Sequence, residues 1–390
     1  MSARTVDITL VMDPRFTGGT AQAFRTDVLA CHARGMRVGI EFFEAGAFYL
    51  PTEAPNPALL ELADLDDVVL SPDRSAMTFL HNPQIFGRAQ LGRAPRPPRL
   101  PKSERVFVVA HHPPFLGDGA LAYDPLGTDQ AIARLLPAPK TVEWLPVSGL
   151  VRAQLRSFQP FLALHAQDWP NSFDTGQWQP KREKLQPGRW TIGRHGRAHE
   201  DKWPDAAEDI AASLPARRDL HPRVLGAAAE FFASRGVDVS GWDILPFGTE
   251  DVAGFLDGLD LFSYFHSARW REAFGRTVAE AMMMGLRCVL DPALRPTFGP
   301  HALYCHPREV AQVVSRIREA PNGHRLAAMQ AGAWCRAEFD IAQIGARLDA
   351  LAEKPARRLS RGMRTASPLV TTRKLVGFRR RAAAREAAQS

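Results

Sequence analysis

Short apolar runs alternate along the chain with segments that carry apolar residues at helical spacing. The first run, Val6 to Met12, is followed by Gly18-Gly19 and by Thr20, which is predicted to cap a helix. Apolar residues then recur every three or four positions as far as Gly35, and a second apolar run begins at Met36. This strand, loop, helix, strand order predicts a unit of a parallel α/β sheet.

The same alternation continues to about residue 340. Further strands are predicted at 67–70, 77–80, 106–110, 142–145, 189–193, 223–225, 259–267 and 287–291, and helices within 147–155, 226–236, 277–284 and 307–320. Between the two series, residues 168–188 are rich in Pro, Gly, Asn and Asp, which is typical of a linker between domains. The sequence therefore predicts two doubly wound, Rossmann-like α/β lobes facing a central cleft, with ligands at the carboxyl ends of the strands.

Composition and charge narrow the class of protein. The chain is 45% hydrophobic and 23% charged, as expected of a globular protein. Eleven basic residues and one acid follow residue 353, a net of +10 within an overall +7, so the rest of the chain carries −3. A nucleic-acid partner is therefore not expected for the folded body.

The four cysteines form no C-x-x-C pair, so neither a zinc site nor a disulfide framework is expected, and a reducing compartment fits. The first residues lack the apolar core of a secretion signal. No run of about 18 apolar residues is present that would span a membrane. These features predict a cytoplasmic location.

Three groups of residues suit a phosphorylated ligand. Arg194, Arg197 and Lys202 surround two histidines directly after a predicted strand, where cations can hold a diphosphate. A solvated basic loop is the alternative interpretation. Gly18-Gly19 precedes a helix and lets the backbone approach an anion, although a plain strand-to-helix turn would look the same.

The third group is a pair of carboxylates. Glu272 lies in a loop and Glu280 falls about one turn into the helix that follows it. Carboxylates accept hydrogen bonds from paired sugar hydroxyls, so the two can face one ligand. The alternative is that they stabilise the start of the helix, where acidic side chains are favoured.

Together these segments resemble the family-four glycosyltransferases, which have the GT-B architecture. Residues 272–285 (EAFGRTVAEAMMMG) resemble the two-glutamate signature of that family, and Gly196-Arg197 followed by Lys202 keeps its basic spacing. WPNSFD at 169–174, FTGGTAQAF at 16–24 and FVVAHHPP at 107–114 resemble its linker motif, its glycine loop and its histidine at a strand end. The resemblance runs from residue 6 to about residue 350.

The resemblance implies a role for each matching residue in the second half. Glu280 would hold the ribose hydroxyls of a nucleotide donor, and Glu272 would contact the transferred sugar. Arg197 and Lys202 would bind the donor diphosphate and neutralise its charge as it leaves. The backbone amides near Phe274 and Gly275 would touch the donor sugar.

In the first half, the resemblance places His111 near the donor sugar and the acceptor, and Gly18 and Gly19 near the phosphates or the acceptor. His112 is adjacent, and successive strand residues point to opposite faces, so which histidine faces the site stays open. His81 also ends a predicted strand, and either anchors a loop or serves the site.

The sequence departs from the family pattern at four positions: Ser172, His266, Arg269 and Arg271. The two arginines beside Glu272 indicate either a charged donor sugar or no change of specificity.

The resemblance implies a retaining, metal-independent hexosyltransferase. It would use a nucleoside-diphosphate sugar as donor, with no cofactor, and a hydroxyl of an envelope polysaccharide or lipid-linked glycan as acceptor. Two alternatives remain open: a catalytically idle scaffold that binds sugar nucleotides, and an epimerase or phosphorylase with the GT-B fold.

The predicted organisation has five parts. Residues 1–170 form the acceptor-side lobe, 171–188 the linker and 189–340 the nucleotide-sugar lobe, after which a helix at 341–355 returns to the first lobe. The basic tail at 356–390 either lies peripherally on the anionic inner face of the membrane or is a disordered soluble segment.

Overall fold

The computed structural model describes residues 3–46, 49–50, 52–137, 140–159, 161–353 and 368–389. The chain divides into two compact units, Met1–Ser172 with Ile341–Ser390, and Phe173–Asp340. Each unit is built around one parallel sheet. All four cysteines are buried and free of disulfide bonds. In the ranges given above, no helix combines the length and the apolar character needed to cross a bilayer.

The first unit contains a seven-stranded sheet in the order β3-β2-β1-β4-β5-β6-β7. Its strands are β1 (Thr5–Met12), β2 (Val38–Phe42), β3 (Val68–Leu70), β4 (Arg74–His81), β5 (Lys102–Ala110), β6 (Val142–Pro146) and β7 (Ala163–Leu164). Its first helices are α1 (Gly18–Ala33), α2 (Pro57–Leu60), α3 (Arg88–Gly92), α4 (Pro125–Leu135) and α5 (Gly149–Leu155). The strand order reverses between β1 and β4, as in doubly wound sheets.

The central strands of this sheet are buried on both faces. Every residue of β5 from Val106 to Ala110 is buried, which is why the strand reads as an unbroken apolar run rather than an alternating one. Helix α1 begins two residues before the predicted cap, because Thr17 rather than Thr20 takes the extended N-cap conformation.

The second unit repeats the architecture with six strands in the order β10-β9-β8-β11-β12-β13. Its strands are β8 (Trp190–His195), β9 (Leu220–Leu225), β10 (Asp243–Leu245), β11 (Leu261–Tyr264), β12 (Arg287–Leu290) and β13 (Leu303–Tyr304). Its helices are α6 (Ala207–Ser213), α7 (Ala229–Ala233), α8 (Val252–Asp257), α9 (Arg276–Met283), α10 (Arg295–Phe298), α11 (Val310–Glu319) and α12 (Pro321–Phe339). The prediction of two doubly wound, Rossmann-like units is confirmed.

Helix α9 is held close to α12 by a glycine. A Cβ atom at Gly332 would stand 2.6 Å from the carbonyl oxygen of Met282, so only glycine allows this approach. Cys335, one turn further along α12, contacts the sulfur of Met282 at 3.6 Å. The packing of α12 therefore fixes the position of α9.

The chain returns to the first unit after residue 340 and adds α13 (Ile344–Glu353) and α14 (Pro368–Gln389). The buried guanidinium of Arg347 donates to the carbonyl of Pro170 at 3.1 Å and to the hydroxyl of Ser172 at 2.9 Å. Residues 354–367, which include the end of the predicted helix and the first part of the basic tail, lie outside the described residues. The part from Pro368 onward, for which the sequence left disorder open, is helical.

Candidate functional site

Two strand ends and one helix start share an edge of the second sheet. β8 and β11 are parallel, with Leu261 opposite Ile192, so the loops after His195 and Tyr264 leave from the same edge. Helix α9 begins directly after the second of these loops. Side chains that are distant in the sequence are therefore delivered to one region.

Lys202 and Glu272 form a close ion pair in this region. The Nζ atom of Lys202 lies 2.6 Å from Oε2 of Glu272 and 4.5 Å from the centre of the Trp270 ring. The hydroxyl of Tyr264 donates to the same Oε2 at 2.6 Å. The glutamate is 15% exposed at its side chain and the lysine 28%, so the pair is shielded but reachable.

Burial and the neighbouring charges shift the pKa values of Glu272 and Lys202 in opposite directions. Burial alone would raise the pKa of Glu272, but Lys202 and the Tyr264 hydroxyl outweigh it and hold the pKa at about 2. Burial would lower the pKa of Lys202, and Glu272 outweighs it, so that pKa is raised. Both groups are therefore charged at neutral pH.

A second polar contact in this region joins Glu280 to His195. Its Oε2 lies 3.2 Å from Nε2 of His195, the last residue of β8, and its Oε1 lies 3.8 Å from Nε of Arg276. Burial would raise the pKa of Glu280, but the close approach of His195 and the charge of Arg276 lower it below its ordinary value. A buried carboxylate is thus kept ionised beside the start of α9.

Gly275 gives α9 an unusual start. Its φ is +86°, a left-handed conformation that favours glycine, and a Cβ here would lie 3.2 Å from the Phe298 ring. The ring of Phe274 is buried and packs 5.1 Å from that of Phe339, so its side chain is not available to a ligand.

Arg194 was grouped with the ligand-binding cations, and its surroundings contradict that interpretation. The residue is 2% exposed and lies between the rings of Trp203 and Tyr264, at 4.0 and 4.5 Å. Its guanidinium donates to the carbonyls of Phe265 at 2.7 Å and of Lys202 at 2.6 Å. Arg194 therefore ties the two site loops together instead of reaching a ligand.

Arg197 lies in the same loop but is exposed. Gly196 before it has a φ of +149°, and its amide donates to the carbonyl of Leu225 at 3.0 Å, which joins the loop to the end of β9. One residue, Gly196, separates Arg197 from His195, the partner of Glu280.

In the first unit, the predicted residues follow neighbouring strands. Gly18 and Gly19 come after β1 and are exposed, while His81 ends β4 and His111 follows β5. Nδ1 of His81 lies 3.0 Å from Nε2 of His111, and the two rings stack. Burial lowers the pKa of His81 to about 3, so it is neutral at neutral pH.

No protein-family profile and no curated protein sequence matches the chain. Solved structures match along most of its length. HepE of Anabaena, solved with UDP-glucose, gives a TM-score of 0.59 at 13% identity over 90% of this chain and 100% of that chain. Sucrose-phosphate synthase of Thermosynechococcus elongatus gives 0.58 at 16% identity over 89% and 98%. WaaG, a glycosyltransferase involved in lipopolysaccharide biosynthesis, gives 0.54 at 13% identity over 88% and 99%.

The chain has the GT-B fold. The resemblance to GT-B glycosyltransferases that the motifs predicted is thus confirmed at the level of fold. Within the second GT-B unit, Lys202 meets Glu272 and Glu280 meets His195, while Arg197 and the backbone of Gly275 lie in the adjoining loops.

The sequence reasoning missed several residues of this GT-B unit. Tyr264 and Trp270 touch the Lys202–Glu272 pair, and Arg276 lies beside Glu280 with its guanidinium 4.0 Å from the centre of the Phe173 ring. One signal was available for Tyr264, since it is the last residue of a predicted strand. In the part of the chain that the structure describes, no cluster of three or more His, Cys, Asp or Glu could hold a metal ion.

Proposed function

We propose that the chain is a retaining glycosyltransferase that moves a hexose from a nucleoside-diphosphate sugar to an acceptor hydroxyl. The observation that carries the proposal is the presence of two ionised carboxylates, Glu272 and Glu280, at one sheet edge with Lys202. Carboxylates accept hydrogen bonds from sugar hydroxyls, and cations bind phosphate, so one region offers both halves of a sugar nucleotide a partner.

The order of the strands supports one orientation of the donor. Glu272 meets Tyr264 at the end of β11, and Glu280 meets His195 at the end of the adjacent β8. With the sugar at Glu272 and the ribose at Glu280, the base extends toward β9 and β10 on the far side. There Phe247 is 55% exposed and packs against Gly226, which leaves an aromatic face for a base.

Lys202 and Arg197 would act on the leaving group. When the sugar–phosphate bond breaks, negative charge grows on the diphosphate, and fixed cations stabilise it without a metal ion. The amides near Phe274 and Gly275 would hold the donor sugar. His111, Gly18 and Gly19 would serve the acceptor and phosphate side, and all three follow strand ends of the first sheet.

The solved neighbours support the donor and the biological setting. HepE was solved with UDP-glucose, and WaaG takes part in lipopolysaccharide biosynthesis. On this proposal the chain works in the cytoplasm or at the inner face of the membrane, and its acceptor is an envelope polysaccharide or a lipid-linked glycan.

A thermal-shift screen of UDP-, GDP- and ADP-sugars tests the proposal. A donor that binds the native state raises its melting temperature by mass action. We expect one nucleotide series to raise Tm in the wild type and to lose most of that effect in Glu280→Gln. A matched control, Glu309→Gln, removes a carboxylate that accepts the His306 amide in the turn before α11, and should leave the ligand shift intact. If no sugar nucleotide stabilises the protein, the proposal is wrong.

A turnover assay distinguishes a transferase from the alternative functions. Release of nucleoside diphosphate that depends on an added glycan acceptor supports transfer, with the anomeric configuration of the product read by NMR. Binding without turnover across a broad acceptor panel would instead identify an idle scaffold, and donor conversion without any acceptor an epimerase.

A further inference from the structure

A hollow of about 190 Å³ lies in the first unit where α3, α4 and α14 come together. Three arginines from three helices line it: Arg88 of α3, Arg134 of α4 and Arg379 of α14. Gln130 and Asp124 also contribute polar groups to the lining. Segments that are far apart in the sequence thus bring guanidinium groups to one place.

The charge of this hollow is not balanced. Among the residues that the structure describes, none forms an ion pair or a hydrogen bond with the side chain of Arg88, Arg134 or Arg379. Asp124 supplies the lining's carboxylate, and its Oδ1 already accepts the amide of Leu126 at 2.9 Å as the cap of α4. The lining of the hollow therefore contains three guanidinium groups and one carboxylate, and that carboxylate already caps α4.

The position of Arg379 is fixed by the residue before it. Phe378 is 5% exposed, and its ring packs edge-on against Phe158 at 4.9 Å and Phe115 at 6.3 Å between ring centres. The guanidinium of Arg381 lies 5.6 Å from the centre of the Phe115 ring. Helix α14 is thus anchored on the first unit, and this keeps Arg379 beside the hollow that Arg88 and Arg134 also line.

We propose that this hollow binds a phosphoryl group. Guanidinium groups are planar and present paired N–H donors that match the oxygen spacing of phosphate, and their charge does not titrate in the physiological range. A phosphate carries more charge than a carboxylate and offers more acceptor oxygens. It can therefore accept hydrogen bonds from three converging arginines, which a carboxylate does less well. The phosphoryl group of a lipid headgroup and that of a soluble phosphate share this chemistry. The hollow belongs to the first unit, whereas the proposed donor residues belong to the second. This proposal therefore does not depend on the proposed function.

Two double variants of the full chain test the proposal with the same change of charge. Arg88→Gln with Arg134→Gln removes two guanidinium groups from the hollow. Arg373→Gln with Arg380→Gln removes two from exposed positions of α14 that do not line it. Calorimetric titration with inorganic phosphate, at ionic strength matched with potassium chloride, should show saturable binding by the wild type. We expect about tenfold or greater weakening in the hollow variant and less than about twofold in the control.

Vesicle sedimentation distinguishes the two sources of the phosphoryl group. If phosphatidylglycerol in phosphatidylcholine vesicles retains the wild type and the control but not the hollow variant, the ligand is a lipid headgroup. If only the binding of inorganic phosphate differs between the variants, the ligand is a soluble phosphate. Equal losses in both double variants, or no saturable binding of either probe by the wild type, would overturn the proposal. Arg379→Gln, which leaves α3 and α4 unchanged, provides a second variant should circular dichroism show that the first is not folded.

Discussion

The Nζ atom of Lys202 lies 2.6 Å from Oε2 of Glu272, and the hydroxyl of Tyr264 donates to the same oxygen at 2.6 Å. Two donors thus hold one oxygen of the carboxylate and fix its orientation. A lysine in this position can move toward a diphosphate only by giving up part of its contact with Glu272. The pair therefore couples the proposed sugar contact to the proposed phosphate contact.

Replacement of Lys202 with alanine should lower turnover much more than it lowers stability. On the proposed function we expect a fall in kcat/KM of roughly 100-fold or more, because a cation that would stabilise the leaving diphosphate is lost. Lys184→Ala is the matched control, since Lys184 is 4% exposed and pairs with Asp257 at 3.0 Å, away from the site. Lys184→Ala should lower Tm and keep near-normal kcat/KM. The reverse pattern would mean that Lys202 is structural.

The acid stability of the protein should report the ionisation of Glu272. Its folded pKa of about 2 lies below the ordinary value of 4.5, so the ionised carboxylate stabilises the fold above about pH 4.5. That contribution, roughly 3 kcal/mol, is lost as the pH falls from 4.5 through 2. The Tm difference between the wild type and Glu272→Gln should therefore be full at pH 7 and shrink below pH 4.5. A difference that stays constant to pH 2 would contradict the assignment.

Glu280→Gln keeps the size of the side chain and removes its charge. The contact with His195 can persist, but an amide oxygen accepts ribose hydroxyls less strongly than a carboxylate does. We expect turnover to fall by roughly 100-fold and calorimetric affinity for the matching nucleoside diphosphate to weaken. A variant with normal kcat/KM and a strongly lowered Tm would show that Glu280 only stabilises the start of α9.

Much of the fold could be predicted because parallel strands leave a strong local signal. Buried runs such as Val106 to Ala110 are apolar on both faces and rich in β-branched residues, which is typical of a central parallel strand. Helix α12 was missed because its buried face consists of small residues, including Ala328, Ala331 and Gly332, which give a weak apolar period. The short strands β10 and β13 were also missed, whereas β3, which is as short as β10, was predicted at 67–70.

The site was predicted only where residues close in the sequence carry it. Glu272 and Glu280 stand in one motif, and Lys202 keeps a fixed spacing from Gly196. Arg194 could not be told apart from its basic neighbours, because its burial depends on Tyr264, which lies 4.5 Å away in space but on another strand. Contacts of this kind follow from tertiary packing, which a single sequence does not display.

A second acid-sensitive group lies in the first unit. Burial lowers the pKa of His81 to about 3 from the ordinary value of 6.5, so the folded protein binds fewer protons than the unfolded chain between these values. Stability should therefore fall as the pH drops from 6.5 toward 3, by up to roughly 5 kcal/mol from this group. His81→Asn should flatten the Tm profile between pH 6.5 and 4.5. His199→Asn, at a side chain that is 63% exposed, should leave the profile unchanged.

Alanine variants of the two glycines that flank α9 can distinguish the effect of backbone strain from an effect on donor binding. Gly275 and Gly285 have φ values of +86° and +73°, so alanine at either position is strained by about 1–2 kcal/mol. Beyond that shared cost, a Cβ at Gly275 meets the Phe298 ring at 3.2 Å, whereas at Gly285 the nearest atom is 3.8 Å away on Pro180. Both variants should lose several degrees in Tm. Only Gly275→Ala should also lower kcat/KM and raise the donor Kd, because it displaces the amides that start α9. Equal kinetics in the two variants would mean that these amides do not contact the donor.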